Sequence, residues 1–403
     1  KYTKEPIKTF LHRKKNIYAS DYYLEVIRQQ IIDTFGEKYL YGGGLSVRTS
    51  LDTNTQLMAD VALKEGLLTY DKRYGYRGIL KNNVNIDWLN GLEDVPLPYN
   101  FLLAKVISVD DKSAIIQAST NERGEINLSN LTWAREHIPG GYVGPKIVAA
   151  KDVLKENDII YVSKNENDEY VLEQIPNING GIIVMDPHSG RVIALSGGFD
   201  FKLSNFNRVS QAKRQPGSAF KPFVYISALE NGLQPNSLIL DAPFVVDQGE
   251  KLGKWKPENY GKKFYGPSPL RKGIENSRNL MTIRIAQYLG MDKISEVANR
   301  VNIMKDMPEV LSMALGAGET TLIDLTSAYA SFVNGGKRIS PILIDRIQDR
   351  RGKNIFLADF GKCLNCSLPY IEENPFPLIE NYNEQIFDSV NSYQMVSILK
   401  GAV

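Results

Sequence analysis

Two hydrophobic textures meet near residue 178, and a chain that carries both must fold as more than one unit. Between Arg73 and Asn177 short strand-like runs are cut by polar turns. Ala104 to Val109, the turn Asp110-Asp111-Lys112 and Ser113 to Ala118 read as one hairpin. Asp158 to Ser163, the turn Asn165-Glu166-Asn167-Asp168 and Tyr170 to Ile175 read as another. From Gly180 the pattern changes. Ile182 to Met185 and Val192 to Leu195 are apolar runs of buried-strand type, joined by Asp186-Pro187-His188-Ser189-Gly190. Helical patterns follow over Ser218 to Glu230, Met281 to Leu289 and Leu322 to Val333, each closed by Gly or by Asn-Gly. With 403 residues, 43% of them hydrophobic, the chain can bury two or three cores. The expected fold is multidomain α/β: a linker and helical segment over 1–72, a small OB-like β-barrel over 73–177, and an α/β unit over 178–403.

The leading segment has its own signals. Tyr22 to Phe35 places apolar residues at helical spacing and stops at Gly36, and Gly42 to Gly44 lead into the strand-like Leu45 to Leu51. Asp52 can cap a helix running through Leu57, Val61, Leu63 and Leu67. The first fifteen residues are basic, with Lys1, Lys4, Lys8, Arg13, Lys14 and Lys15 against Glu5, and read as a linker, solvated or lying next to a membrane-anchored module. No run of roughly 18 apolar residues occurs, so no spanning helix is expected within this sequence. Residue 1 is not Met and the last residues read as a helix just ending, so both ends read as cuts.

Charge and cysteine usage narrow the function further. OB-like barrels often bind nucleic acid, but Arg73 to Asn177 holds 11 Lys/Arg against 15 Asp/Glu, a net of −4, where a single-strand groove has to be positive. That charge argues against a nucleic-acid partner, and none is expected. The two cysteines form Cys363-Leu364-Asn365-Cys366, with His12, His137 and His188 scattered far away in sequence, which argues against a four-ligand zinc site. A local loop disulfide is the reading, two free thiols the alternative; the disulfide would place the protein in an oxidising compartment. No metal or other cofactor is expected.

Three dispersed histidines argue against a Ser-His-Asp triad, and there is no His-Glu-x-x-His or phosphate-loop signature. A lysine can activate a serine instead when the two stand three apart on one helix face. Ser-x-x-Lys occurs at Ser210/Lys213, Ser218/Lys221 and Ser397/Lys400. Ser397 lies inside an amphipathic helix, and Ser210 sits in a polar segment with no periodic helix behind it. Ser218 follows Pro216-Gly217 and opens an apolar helix in which Pro222 fits only the first turn. A helix N-terminus there favours developing negative charge. On these residues alone, a serine N-cap beside a surface lysine is an equal alternative.

The surrounding motifs separate the two. Arg214-Gln215-Pro216-Gly217-Ser218-Ala219-Phe220-Lys221-Pro222 is followed by Trp255-Lys256-Pro257-Glu258-Asn259-Tyr260, Ser277-Arg278-Asn279 and Leu315-Gly316-Ala317-Gly318-Glu319-Thr320-Thr321. In this order they resemble the transpeptidase domain of class A penicillin-binding proteins. Gly43 to Asp52 resembles the family's link from glycosyltransferase to transpeptidase, and the β-rich region its OB-like insert. The resemblance implies a serine β-lactamase-like α/β sandwich that crosslinks peptidoglycan stem peptides. Ser218 would attack the bond between the last two D-alanines, Lys221 would take its proton, Ser277 would relay a proton to the leaving nitrogen, and Asn279 would hold the peptide. β-Lactams would acylate the same serine. The intact protein would be membrane-anchored at the periplasmic face of the inner membrane, with cell-wall assembly proteins as partners of the OB-like domain. No Lys-Thr-Gly occurs in the sequence, so the α/β unit is expected to be C-terminally incomplete, cut before that strand and poorly active alone; no glycosyltransferase signature is present either. The rival readings are a β-lactamase or β-lactam sensor with the same Ser-x-x-Lys, and a non-catalytic cell-wall scaffold.

Overall fold

The structure, a computed structural model, describes residues 20–85, 87–98, 100–247, 253–358, 362–364, 378–380 and 383–403. The β-rich region forms one six-stranded antiparallel sheet. Its strands lie in the order Lys81–Asn82, Asp158–Lys164, Leu102–Val109, Ser113–Ala118, Arg123–Asn127, and Tyr170–Glu173 pairs with Asp158–Lys164. Alternation along the central strands sends Ala104, Val106, Ala114, Ile116, Ile160 and Val162 into one core, all of them fully buried. The sheet curls, because the Tyr170 ring lies where a side chain on Gly124 would stand, and Lys164 reaches Glu122 at 2.9 Å across the same gap. No ladder closes these two edges among the described residues. Both sequence-predicted hairpins are present. Of the aromatics there, Trp88 and Phe101 are core, Trp133 is partly buried under Lys72, and Tyr99 lies outside the described residues.

Around the first hairpin of the α/β region, Ile182–Met185 and Val192–Ser196, gather pieces distant in sequence. Strand Ser46–Thr49 pairs antiparallel with Ile344–Gln348, which in turn pairs with Asn354–Leu357. Helix Asp21–Phe35 is fastened to this layer by two buried phenols: Tyr22 donates to the Ser204 carbonyl at 2.6 Å and Tyr23 to that of Val192 at 2.8 Å. Burial pushes both hydroxyls above the ordinary tyrosine value.

Helix Thr53–Lys72 starts where the sequence places it, with the Asp52 carboxylate accepting from the Thr55 N–H at 2.8 Å. Its buried face is only partly the expected apolar one: Leu67 is buried and Leu63 packs beside it, but polar residues share the face. Leu57 and Met58 face solvent, while Gln56, Asp60, Lys64 and Asp71 are buried at intervals near four and seven. The reason is the neighbour: a strand edge offers polar backbone. Gln56 exchanges two hydrogen bonds with the Leu195 backbone at 2.9 and 3.1 Å, and Asp60 accepts from Ser196 Oγ at 3.1 Å while pairing with Lys64. At the far end Asp71 accepts from Arg77, Gln174 and the Asn177 N–H, which fixes the β-rich unit to the end of this helix.

The second core surrounds helix Lys221–Glu230, in which every residue from Lys221 to Leu229 is buried. Helices Asn279–Leu289, Met291–Arg300, Leu322–Val333 and Ser389–Leu399 pack around it. Phe223, Phe332 and Phe387 stack through this cluster at ring separations of 5.2 and 5.6 Å. Cys363 falls in a short strand, Lys362–Leu364, while Cys366 lies outside the described residues.

Candidate active site

Ser218 does not open the α-helix. Gly217, at φ +55°, starts a single 3₁₀ turn, Gly217–Phe220, and the α-helix begins at Lys221 with Pro222 in its first turn. Ser218 caps no helix N–H, so the N-cap reading fails. In a 3₁₀ turn side chains three apart eclipse each other. Ser218 is exposed and Lys221, directly after the turn, is only 1% exposed. The lysine is no surface residue.

The Lys221 amine ends among three oxygens. It donates to the Ser277 carbonyl at 2.7 Å, to Ser277 Oγ at 3.1 Å and to Asn279 Oδ1 at 2.7 Å. Burial pushes it down from the ordinary 10.5 to about 8. Three acceptors match the three protons of an ammonium. A neutral amine has two, so losing a proton releases one contact and frees a lone pair. Ser277 Oγ is the only one of the three oxygens that also carries a hydrogen, and can answer that lone pair as a donor.

Local structure explains how Ser277 comes to be there. Helix Leu270–Glu275 closes with the Arg278 N–H on the Gly273 carbonyl at 2.8 Å and the Ser277 N–H on that of Ile274 at 2.9 Å. That pair of bonds is a Schellman stop, whose left-handed position normally goes to glycine. Ser277 occupies it at φ +49°, a conformation costing a non-glycine residue about 1 kcal/mol or more. The chain then enters helix Asn279–Leu289, and Asn279 Nδ2 donates to the Glu258 carbonyl at 2.9 Å.

A second segment grips the nucleophile's turn from the other side. Arg214 and Thr320 exchange backbone hydrogen bonds of 2.9 and 3.0 Å, and the Gly217 N–H donates to the Gly316 carbonyl at 3.2 Å. Gly316 sits at φ +76°, and a Cβ there would collide with the Gly217 carbonyl oxygen. The Tyr329 hydroxyl donates to the Ala219 carbonyl at 2.8 Å. The motif at 315–321 thus acts on this turn through backbone and glycine contacts, and that at 255–260 through the Glu258 carbonyl and the Asn259 side chain, which accepts from the Leu280 N–H. Motif order was their only signal.

The structure gathers Lys221, Ser277 and Asn279, with the exposed Ser218 in the turn just before Lys221, and leaves the competing matches elsewhere. Ser210 lies in a turn with Lys213 exposed, Ser397 lies in the last helix, and Ser163 donates to Glu173 inside the β-rich sheet. Among the described residues no group of three or more His, Cys, Asp or Glu is placed to hold a metal ion, and no helix is long and apolar enough to cross a membrane.

Comparison with known proteins agrees with this layout. The family model described as penicillin binding protein transpeptidase domain matches residues 180–377, and that described as penicillin-binding protein OB-like domain matches 80–178. Penicillin-binding protein 1A of Rickettsia typhi is 38% identical over 405 residues, covering 99% of this chain and 50% of that protein. Penicillin-binding protein 1A of Pseudomonas aeruginosa is 34% identical over 361 residues, covering 88% and 44%. The crystal structure of Penicillin-Binding Protein 1A from Haemophilus influenzae superposes with a TM-score of 0.81 at 30% identity, covering 99% of this chain and 60% of that one. The chain spans about half the length of the curated relatives it matches.

Proposed function

The chain belongs to the penicillin-binding proteins, with an OB-like domain ahead of a transpeptidase domain, and from that premise we propose that it crosslinks peptidoglycan stem peptides through an acyl-enzyme on Ser218. The observation that carries the reading is Lys221: a buried amine held to about 8, set one turn after an exposed serine and bonded to Ser277 and Asn279. Neutral Lys221 takes the proton as Ser218 Oγ attacks the carbonyl of the penultimate D-alanine. Ser277, already bonded to Lys221, delivers a proton to the nitrogen of the departing D-alanine. The Asn279 amide, whose oxygen holds Lys221 and whose nitrogen gives one N–H to the Glu258 carbonyl, orients the peptide with its second N–H. An amine from a second stem peptide then displaces the ester, restoring Ser218 and forming the crosslink. A β-lactam presents a similar carbonyl and acylates the same oxygen.

For the whole protein we place the activity at the periplasmic face of the inner membrane, with glycan polymerisation in the part of the relatives' length that this chain does not span. The OB-like domain, net negative, then docks cell-wall assembly proteins. The test is product analysis with the full-length gene product on pentapeptide-bearing glycan. Released D-alanine and crosslinked muropeptides are expected, and both should vanish in Ser218→Ala. Crosslinking that survives Ser218→Ala would refute the assignment.

A further inference from the structure

Behind the Ser277 turn lies a carboxylate that the chemistry above does not use. Asp241 ends the strand Leu238–Asp241 and is completely buried. Its Oδ1 accepts from Asn259 Nδ2 at 2.8 Å, and its Oδ2 stands 3.6 Å from Arg278 Nη1 with no hydrogen bond of its own among the described residues. Arg278 is the residue between Ser277 and Asn279, the two residues that hold the Lys221 amine. Its guanidinium also donates to Ser268 Oγ at 3.0 Å and lies 4.0 Å over the Tyr265 ring. Asn259 turns its other face to the same helix start: its Oδ1 accepts from the Leu280 N–H at 3.2 Å, and its Nδ2 also reaches the Lys263 carbonyl.

A buried anion therefore joins three segments, the 238–241 strand, the 255–265 stretch and the start of helix Asn279–Leu289, and both its partners reach the residues just after Ser277, Arg278 directly and Asn259 through the Leu280 N–H. That turn needs outside fixation, because Ser277 is held in a left-handed conformation that a serine does not prefer. We propose that Asp241 is a positioning residue: through Arg278 and Asn259 it fixes the Ser277 carbonyl, Ser277 Oγ and Asn279 Oδ1 around the Lys221 amine. The proposal rests on the transpeptidase reading for its kinetic consequence, and on the hydrogen-bond geometry alone for its effect on Lys221.

Asp241→Asn keeps the shape and the acceptor for Asn259 but removes the charge facing Arg278. In the full-length gene product the rate of acylation by a fluorescent penicillin, measured against pH, should then lose about 10-fold or more at its plateau, as small displacements of reacting groups do. Its midpoint should move acidward by about half a pH unit or more, since the ammonium loses well-placed acceptors. A plateau within about threefold of the wild type, or a slower reaction whose midpoint has not moved, would reduce Asp241 to a core ion pair and overturn the proposal. If Asp241→Asn does not fold, Asp241→Asn with Arg278→Gln, which removes both charges together, is read by the same criteria. Titration of Lys221 by NMR of labelled lysine separates the two layers. If the wild type is not acylated at all, the functional reading fails, and an unmoved Lys221 titration in the variant still overturns the positioning.

Discussion

Raising the pH should switch Ser218 on as Lys221 loses its proton, and the structure sets where. An ordinary lysine titrating at 10.5 is neutral in roughly one molecule in 3000 at pH 7; with burial holding Lys221 near 8, about one in ten carries the free amine. The gain in competent base is ~300-fold, equivalent to ~3 kcal/mol. Stopped-flow acylation by a fluorescent penicillin should therefore climb about tenfold per pH unit from about pH 6 and level off above about pH 8. Lys221→Arg keeps a cation but cannot release its proton, and should cost about 10²-fold or more across the range. The same displacement enters folding. Because the folded pKa lies below the unfolded one, the unfolded chain binds more protons between about 8 and 10.5. The Lys221 contribution to stability thus rises with pH through that window and is at its worst below it. The difference in unfolding free energy between wild type and Lys221→Met should change by ~3 kcal/mol over the same span. A rate that is flat between about pH 6 and 8, or an Arg variant with near-normal acylation, would remove the lysine from proton transfer.

Two other changes probe the scaffold. Gly316→Ala should cost about 1–3 kcal/mol in thermal or denaturant unfolding and slow acylation about 10-fold or more, because the new methyl meets the Gly217 carbonyl at the nucleophile's turn; a variant that acylates normally would show that this contact does not hold Ser218. Asp71→Ala strips a buried acceptor from Arg77, Gln174 and the Asn177 N–H, and should lose about 3–5 kcal/mol by calorimetry. Stability unchanged by that substitution would mean the polar end of helix Thr53–Lys72 is solvated in solution.

Much of the architecture was readable because it rests on local patterns. The two hairpins, the Asp52 cap and the glycine-terminated helices each carry their signal within a few residues. The Ser-x-x-Lys pair was singled out from three by the Pro216-Gly217 before it and the apolar helix after it. What escaped depends on partners remote in sequence. Nothing in helix Thr53–Lys72 announces that Gln56 and Asp60 face inward, because the strand they bind comes more than a hundred residues later, and Asp71 likewise meets Gln174 and Asn177 only through the fold. The bonding of the Lys221 amine depends on Ser277 and Asn279, which only the fold brings near. The 3₁₀ turn at Ser218 reflects the grip of Gly316 and Thr320 on the preceding loop, and Gly316 gives no chemical clue of its own.

The most direct measurement is the mass of the covalent adduct and its position in the chain. After brief exposure of the full-length gene product to a penicillin, one added drug mass is expected, carried by the peptide containing Ser218 and absent from Ser218→Ala. An adduct on another residue, or one that persists in Ser218→Ala, would contradict the account.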